Sequence, residues 1–268
     1  MGHTRLGSLP KTRAWSEVIF CMNPIRPLDL APGPTLAELV HTIAAKSLLA
    51  ADAGLKTAAK DYGLRFAFLL LARVVLSARE ASWQEALSHL SLELPEQASL
   101  FDLAAMLQQT FDEHLLSKAR STDISEMAQG AMVGALVTVA GPRSETLFGP
   151  SREQLKQGLR ALSTKKGFAL LGHEFFSSFL YRFLNFHLSR ITPLFVGSAQ
   201  LGHLGDLTSF ERALRLHCRQ TCRVVHAFCG AWYMKAQYEQ RLNMQGICRF
   251  MAVAIEKLRD EFVRRGTH

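Results

Sequence analysis

From Thr35 onward, apolar side chains recur at intervals of three and four residues, and no stretch alternates with the two-residue period of a strand. Helix-capping signals such as Thr35 with Glu38 stand ahead of several of these apolar stretches. The sequence therefore predicts an all-α fold, a compact bundle of about seven to nine helices. We expect residues 35–268 to form a single helical domain, with a possible sub-division near 142–150.

The apolar spacing also predicts where the individual helices lie. They are expected over 35 to the high fifties, 64–79, a short stretch after Ser82, 95–120, 124–140, 151 onward, 168–190, 209–240 and 247–266. Pro95 is placed in a first helical turn, where a missing N–H costs nothing. The most aromatic stretch carries phenylalanines on one face, which predicts core packing: Phe175, Phe179, Phe183 and Phe186.

Residues 1–34 differ from the rest of the chain. Prolines interrupt any regular spacing at five positions: Pro10, Pro24, Pro27, Pro32 and Pro34. The charges in this segment are mainly basic. We therefore predict an irregular, Pro-rich N-terminal arm.

Residues 127–141 are uncharged and contain Gly130 and Gly134 at GxxxG spacing. The stretch is shorter than the roughly 20 apolar residues that span a bilayer. It therefore favours a buried helix that packs closely through its glycines, and no membrane partner is expected. A membrane-active helix remains a minor alternative.

Charge and cysteine content narrow the function classes. Lysine and arginine outnumber aspartate and glutamate by 31 to 23, a formal charge of +8 that favours a polyanionic partner. Four of the five cysteines lie in the last quarter of the chain, and no secretory signal is evident. Reduced thiols and a cytoplasmic location are expected.

A row of arginines marks the predicted helix over 209–240. Arg212, Arg215, Arg219 and Arg223 recur at intervals of three, four and four residues, which places them along one side of a helix over about 16 Å. The guanidinium group is planar and permanently charged, and it suits phosphate oxygens. The alternative is a solvated face in which Glu211 pairs with an arginine. We interpret the row as an anion contact.

Other side chains extend this prediction. The cations Lys165, Lys166, Arg182 and Arg190 would enlarge the basic patch if the aromatic helix packs beside the arginine row. Trp232 falls in the predicted core stripe, so the adjacent Tyr233 is expected to be exposed and to stack on a base.

Cysteine and histidine share another side of the same predicted helix: Cys218, Cys222, His226 and Cys229. Thiolate and imidazole are zinc ligands, but four ligands on one straight helix cannot surround an ion. The cysteines are also in register with apolar residues such as Leu214 and Val225. Core packing is therefore predicted, and a metal site is kept as an alternative.

Three function classes remain. No GxSxG, Walker or dinucleotide-binding pattern is present, so we expect no catalytic residue and no cofactor. The leading hypothesis is a non-enzymatic helical protein that binds nucleic acid, or an accessory subunit of a nucleic-acid-handling complex, through the arginine row. The first alternative is a protein–protein adapter that contacts an acidic partner and uses residues 1–34 as a binding arm. The second is an enzyme or metalloprotein that uses the Cys/His face.

Overall fold

A computed structural model describes residues 12–22, 36–144, 151–189 and 204–266, and these segments form twelve α-helices and no strand. The all-α prediction is confirmed over this part of the chain. The helices are α1 (Arg13–Met22), α2 (Leu36–Ala50), α3 (Asp52–Ala58), α4 (Tyr62–Ser77), α5 (Trp83–Ser88), α6 (Leu100–Ser117), α7 (Asp123–Ser144), α8 (Arg152–Leu162), α9 (Lys165–Leu188), α10 (Leu204–Thr221), α11 (Arg223–Tyr238) and α12 (Met244–Gly266).

The helices are more numerous than predicted because two predicted helices are each divided and one further helix, α1, lies where none is predicted. One breaks at Ala51, between α2 and α3, and the other breaks at Cys222, between α10 and α11. At Cys222 the backbone ψ is −1°, and the Val225 N–H donates to the Cys222 carbonyl three residues back. Such a tight turn preserves the apolar spacing, so periodicity does not reveal it. The helix α1 lies inside the segment predicted to be irregular.

The start of α6 corrects the role predicted for Pro95. This helix begins at Leu100, after the N-cap residue Ser99. The Ser99 hydroxyl accepts from the Asp102 N–H, and the Asp102 carboxylate accepts from the Ser99 N–H at 2.7 Å. This reciprocal capping box satisfies two helix-end donors, whereas proline offers only a compatible backbone angle.

The helix α9 lies between α7 on one side and α10 and α11 on the other. Its predicted aromatic face is confirmed by three buried side chains and one half-buried one: Phe175, Phe179, Phe183 and Phe186. On α4, the ring of Phe68 is fully buried against aromatic side chains of α9, α11 and α12: Phe168, Phe175, Phe176, Trp232 and Phe250. The aromatic core therefore fixes α9 relative to the helices beside it.

The glycines of α7 face α9, as predicted for close packing. A Cβ at Gly130 would lie 2.7 Å from Cζ of Arg182, so the missing side chain leaves room for that guanidinium. The helix continues past the predicted stop at Pro142 to Ser144. Among the described helices, α7 has the length and composition to cross a membrane over Asp123–Pro142, and half of that window is buried inside the fold.

Contacts in sequence order show how the last helices run along α9. On α10, Arg215 lies against Tyr181, and Arg219 lies against Glu174. On α11, Gly230 lies against the backbone of Lys165 at the start of α9. Because later residues meet earlier ones, α10 and α11 follow α9 in an antiparallel direction from Tyr181 back to Lys165.

Candidate anion-binding surface

The layer formed by α9, α10 and α11 concentrates the positive charge of the chain. Its three helices contain eight lysine and arginine residues and three aspartate and glutamate residues. This layer thus carries a formal +5 of the chain's +8. The excess is local, and a local excess gives a stronger field at one surface than the same charge spread over the molecule.

Near the centre of this layer, the charges of two arginines interact: Arg182 on α9 and Arg215 on α10. Cζ of Arg215 lies 3.7 Å from the ring centroid of Tyr181. Burial, together with the neighbouring charge of Arg215, lowers the pKa of Arg182. Neither arginine forms an ion pair with a carboxylate in the described residues. Two cations that interact and form no ion pair with a carboxylate of the described residues favour the binding of an anion.

Arg219 is the one arginine of the predicted row that is neutralised. Its guanidinium pairs with Glu174 at 3.2 Å, and its carbonyl accepts from Nε2 of His173 at 2.8 Å. Burial lowers the pKa of His173, so the neutral ring is favoured there. These contacts attach the end of α10 to α9 and reduce the charge that Arg219 offers to a ligand.

Arg212 and Arg223 stand at the two ends of the row. Both side chains are exposed, and neither pairs with a carboxylate of the described segments. We define the arginine face by its five members: Arg182, Arg212, Arg215, Arg219 and Arg223. Within the described segments, four of these five form no ion pair with a carboxylate. Arg190, which the sequence placed near this patch, lies outside the described residues.

A groove opens beside this face, between the start of α9 and the first turns of α11. Its volume is about 780 Å³, and six of its lining residues are alanine or glycine: Ala161, Gly167, Ala169, Ala227, Gly230 and Ala231. Exposed Lys165, Lys166 and His226 also line it. We call this the lysine groove. Its walls are small and apolar, and its charged groups are cationic.

A close approach of α11 to α9 forms the floor of the lysine groove. A Cβ at Gly230 would overlap the carbonyl oxygen of Lys165, and one at Gly172 would overlap Sγ of Cys229. At Gly230 the neighbour is backbone, so this helix spacing requires glycine there, whereas at Gly172 the conflict is with a side-chain sulfur. The Thr164 hydroxyl caps α9 by accepting from the Gly167 N–H at 3.1 Å.

The structure corrects the role predicted for Tyr233. This side chain is fully buried, and its ring stacks on Phe168 with centroids 3.7 Å apart and planes 7° apart. Burial raises its pKa, which keeps the hydroxyl protonated. Tyr233 is thus a core residue and offers no face to a base. The tyrosine that α11 exposes is Tyr238, at its end.

The cysteines of the Cys/His face are core residues, as predicted. Cys218, Cys222 and Cys229 are fully buried, and desolvation raises the pKa of each thiol, that of Cys222 to about 12. His226, by contrast, is exposed at the groove. Within the described residues, no group of three His, Cys, Asp or Glu side chains is placed to hold a metal ion.

Sequence reasoning found most of the cations but missed three features of the surface. These are the Tyr181 ring under Arg215, the Glu174 partner of Arg219, and the lysine groove. Each depends on which residue of α9 meets which residue of α10 or α11. The spacing of residues along one helix does not predict how neighbouring helices are aligned with each other.

Comparison of the chain with protein-family models, with curated proteins and with solved structures finds no match. The geometry and charge of the α9–α11 layer are therefore the basis for a functional proposal.

Proposed function

We propose that this protein binds nucleic acid through the arginine face and the lysine groove, as a binding protein or as a subunit of a nucleic-acid-handling complex. The observation that supports the proposal is the row Arg212, Arg215 and Arg223, whose side chains are exposed and form no ion pair with a carboxylate of the described residues. Placing like charges side by side raises the free energy of the surface, and a bound phosphate would lower it.

The extended shape of the cationic surface favours a chain of phosphates, rather than a single anion, as the ligand. From Arg212 to Arg223 the row extends about 16 Å at 1.5 Å per residue. Lys165 and Lys166 continue it on the far side of the groove. An extended polyanion can contact all of these groups at once, whereas one phosphate can contact two or three.

The number of unpaired cations sets the expected salt dependence. Six cationic side chains of this surface form no ion pair within the described residues: Arg182, Arg212, Arg215, Arg223, Lys165 and Lys166. Each phosphate contact contributes about −0.7 to the slope of log K against log salt for a single strand and about −0.9 for a duplex. Full contact therefore gives a slope of about −4 for single strands and about −5 for duplexes.

Fluorescence anisotropy at several salt concentrations tests this proposal with labelled single- and double-stranded DNA and RNA. The double variant Arg215→Glu/Arg223→Glu is expected to lose about tenfold in affinity or more and to flatten the slope by more than about 1.4. The control Lys60→Glu/Lys118→Glu makes the same charge change on exposed residues outside the α9–α11 layer, and it should retain most of the affinity.

Two results would overturn the proposal. The first is an absence of binding by the unmodified protein at low salt to every nucleic acid tested. The second is an equal loss of affinity in both double variants, because net charge and not this surface would then determine binding. The adapter hypothesis would become the stronger one if a stable complex with an acidic protein survived nuclease treatment.

A further inference from the structure

We infer that the lysine groove accepts one unpaired base, so that the protein prefers single-stranded nucleic acid to duplex. This inference rests on the proposed function and deepens it. The arginine face supplies phosphate contacts, which single strands and duplexes can both make. The lysine groove supplies a contact that only an unstacked base can make.

The groove has room for a base and a lining that suits its flat face. Its volume of about 780 Å³ lies inside the range of roughly 300–1,000 Å³ typical of pockets that enclose small molecules. Six alanine and glycine residues leave the space open instead of filling it with side chains. An apolar wall of this kind suits the flat face of a base, which loses little by leaving water.

The groove also lies at the right place along the arginine face. On α11, Arg223 is one turn before His226 and Ala227, which line the groove, and Ala231 follows one turn later. The path from Arg223 to Ala231 is about 12 Å at 1.5 Å per residue. A strand that follows the arginine face therefore reaches the groove without leaving the surface.

Two kinds of side chain around the groove suit a nucleotide: lysines for its phosphate and a histidine ring for its base. Lys165 and Lys166 begin α9, and the positive end of the helix dipole adds to their attraction for a phosphate. The exposed ring of His226 stands on α11 with its plane at 88° to that of His173. An imidazole at this position offers a face on which the base can stack.

A duplex cannot use the groove in this way. Its bases are stacked on their neighbours, and extruding one costs pairing and stacking free energy. The duplex therefore binds through the arginine face alone. A single strand gains the base contact in addition, for which we expect at least about a fivefold increase in affinity, the low end of reported base-stacking effects.

The test compares three labelled probes of about twelve nucleotides, a length within the site sizes of single-strand-binding proteins. They are oligothymidylate, a phosphodiester strand of the same length without bases, and a duplex. The full-length protein should bind oligothymidylate at least about fivefold more tightly than the abasic strand. This comparison needs no variant, so it does not depend on the folding of a mutant.

A variant that fills the groove tests whether the groove is the site that causes the preference for a strand with bases. Ala227→Leu/Ala231→Leu adds volume at two exposed groove positions and leaves the charge unchanged. It should bind oligothymidylate and the abasic strand equally while keeping its affinity for the duplex. The control Ala105→Leu/Ala252→Leu makes the same exchange at exposed positions of α6 and α12, and it should keep the preference for bases.

The outcomes separate this inference from the proposed function. Binding to none of the three probes overturns both. Equal binding of the unmodified protein to oligothymidylate and to the abasic strand overturns the groove inference and leaves phosphate binding in place. The same conclusion follows if the groove-filling variant keeps the preference for bases.

Discussion

The close packing of α11 on α9 positions the whole cationic layer, and a double-mutant cycle at Gly172 and Cys229 tests it. Both residues are buried. A Cβ at Gly172 would overlap Sγ of Cys229 but would lie 3.4 Å from Cβ of that residue. The conflict is therefore with the sulfur atom. Removing the sulfur should remove most of the conflict.

The expected free energies follow from this geometry. Gly172→Ala introduces overpacking of about 2 kcal/mol, from which the higher helix propensity of alanine subtracts about 1 kcal/mol. The net destabilisation is about 1 kcal/mol. Cys229→Ala deletes one buried heavy atom and leaves a void, at a cost of about 1 kcal/mol. In the double variant the new methyl group occupies the space of the sulfur, so both penalties largely disappear.

The double variant keeps the gain in helix propensity, so its free energy of unfolding should be equal to that of the unmodified protein or up to about 1 kcal/mol higher, whereas additivity would give a loss of about 2 kcal/mol. Urea unfolding followed by circular dichroism measures all four corners of the cycle. Gly134→Ala is the control, because its Cβ would make an ordinary contact 3.6 Å from Oγ of Ser178. Additive losses would refute the helix spacing described here.

Two further predictions concern titratable side chains. A thiol reagent should label the half-buried Cys21 and Cys248 of the native protein first, because the other three cysteines are buried and their thiolates are disfavoured; rapid labelling of all five would contradict this. Burial lowers the pKa of His173, so the unfolded chain binds a proton more readily than the folded one, and stability should fall as the pH drops through the ordinary histidine value of about 6.5. Urea unfolding between about pH 7.5 and 5.5 should show a smaller loss of stability for His173→Gln than for the exposed control His89→Gln, and equal losses would exclude this role.

The fold class and the core faces could be predicted because each depends on one helix at a time. Apolar spacing identified the aromatic face of α9 and the buried cysteines of α10 and α11 without knowledge of their neighbours. The ends of the helices were harder to predict from the sequence. The breaks at Ala51 and Cys222 keep the spacing, and the true start of α6 at Ser99 competes with a nearby proline that also permits a helix start.

The prediction for Tyr233 failed for a reason that lies between helices. About five helical turns separate Arg215 from Tyr233, so the two residues lie on nearly the same side of the α10–α11 path. At Arg215 that side is exposed, and the guanidinium of Arg215 lies over the ring of Tyr181 on α9. At Tyr233 the same side is covered, because glycines such as Gly230 let α11 approach the backbone of α9. A pattern read from one helix predicts a continuous exposed stripe from Arg215 to Tyr233. The close approach at the glycines divides this stripe into the exposed arginine face and the buried contact of Tyr233 with Phe168. The lysine groove lies between these two parts.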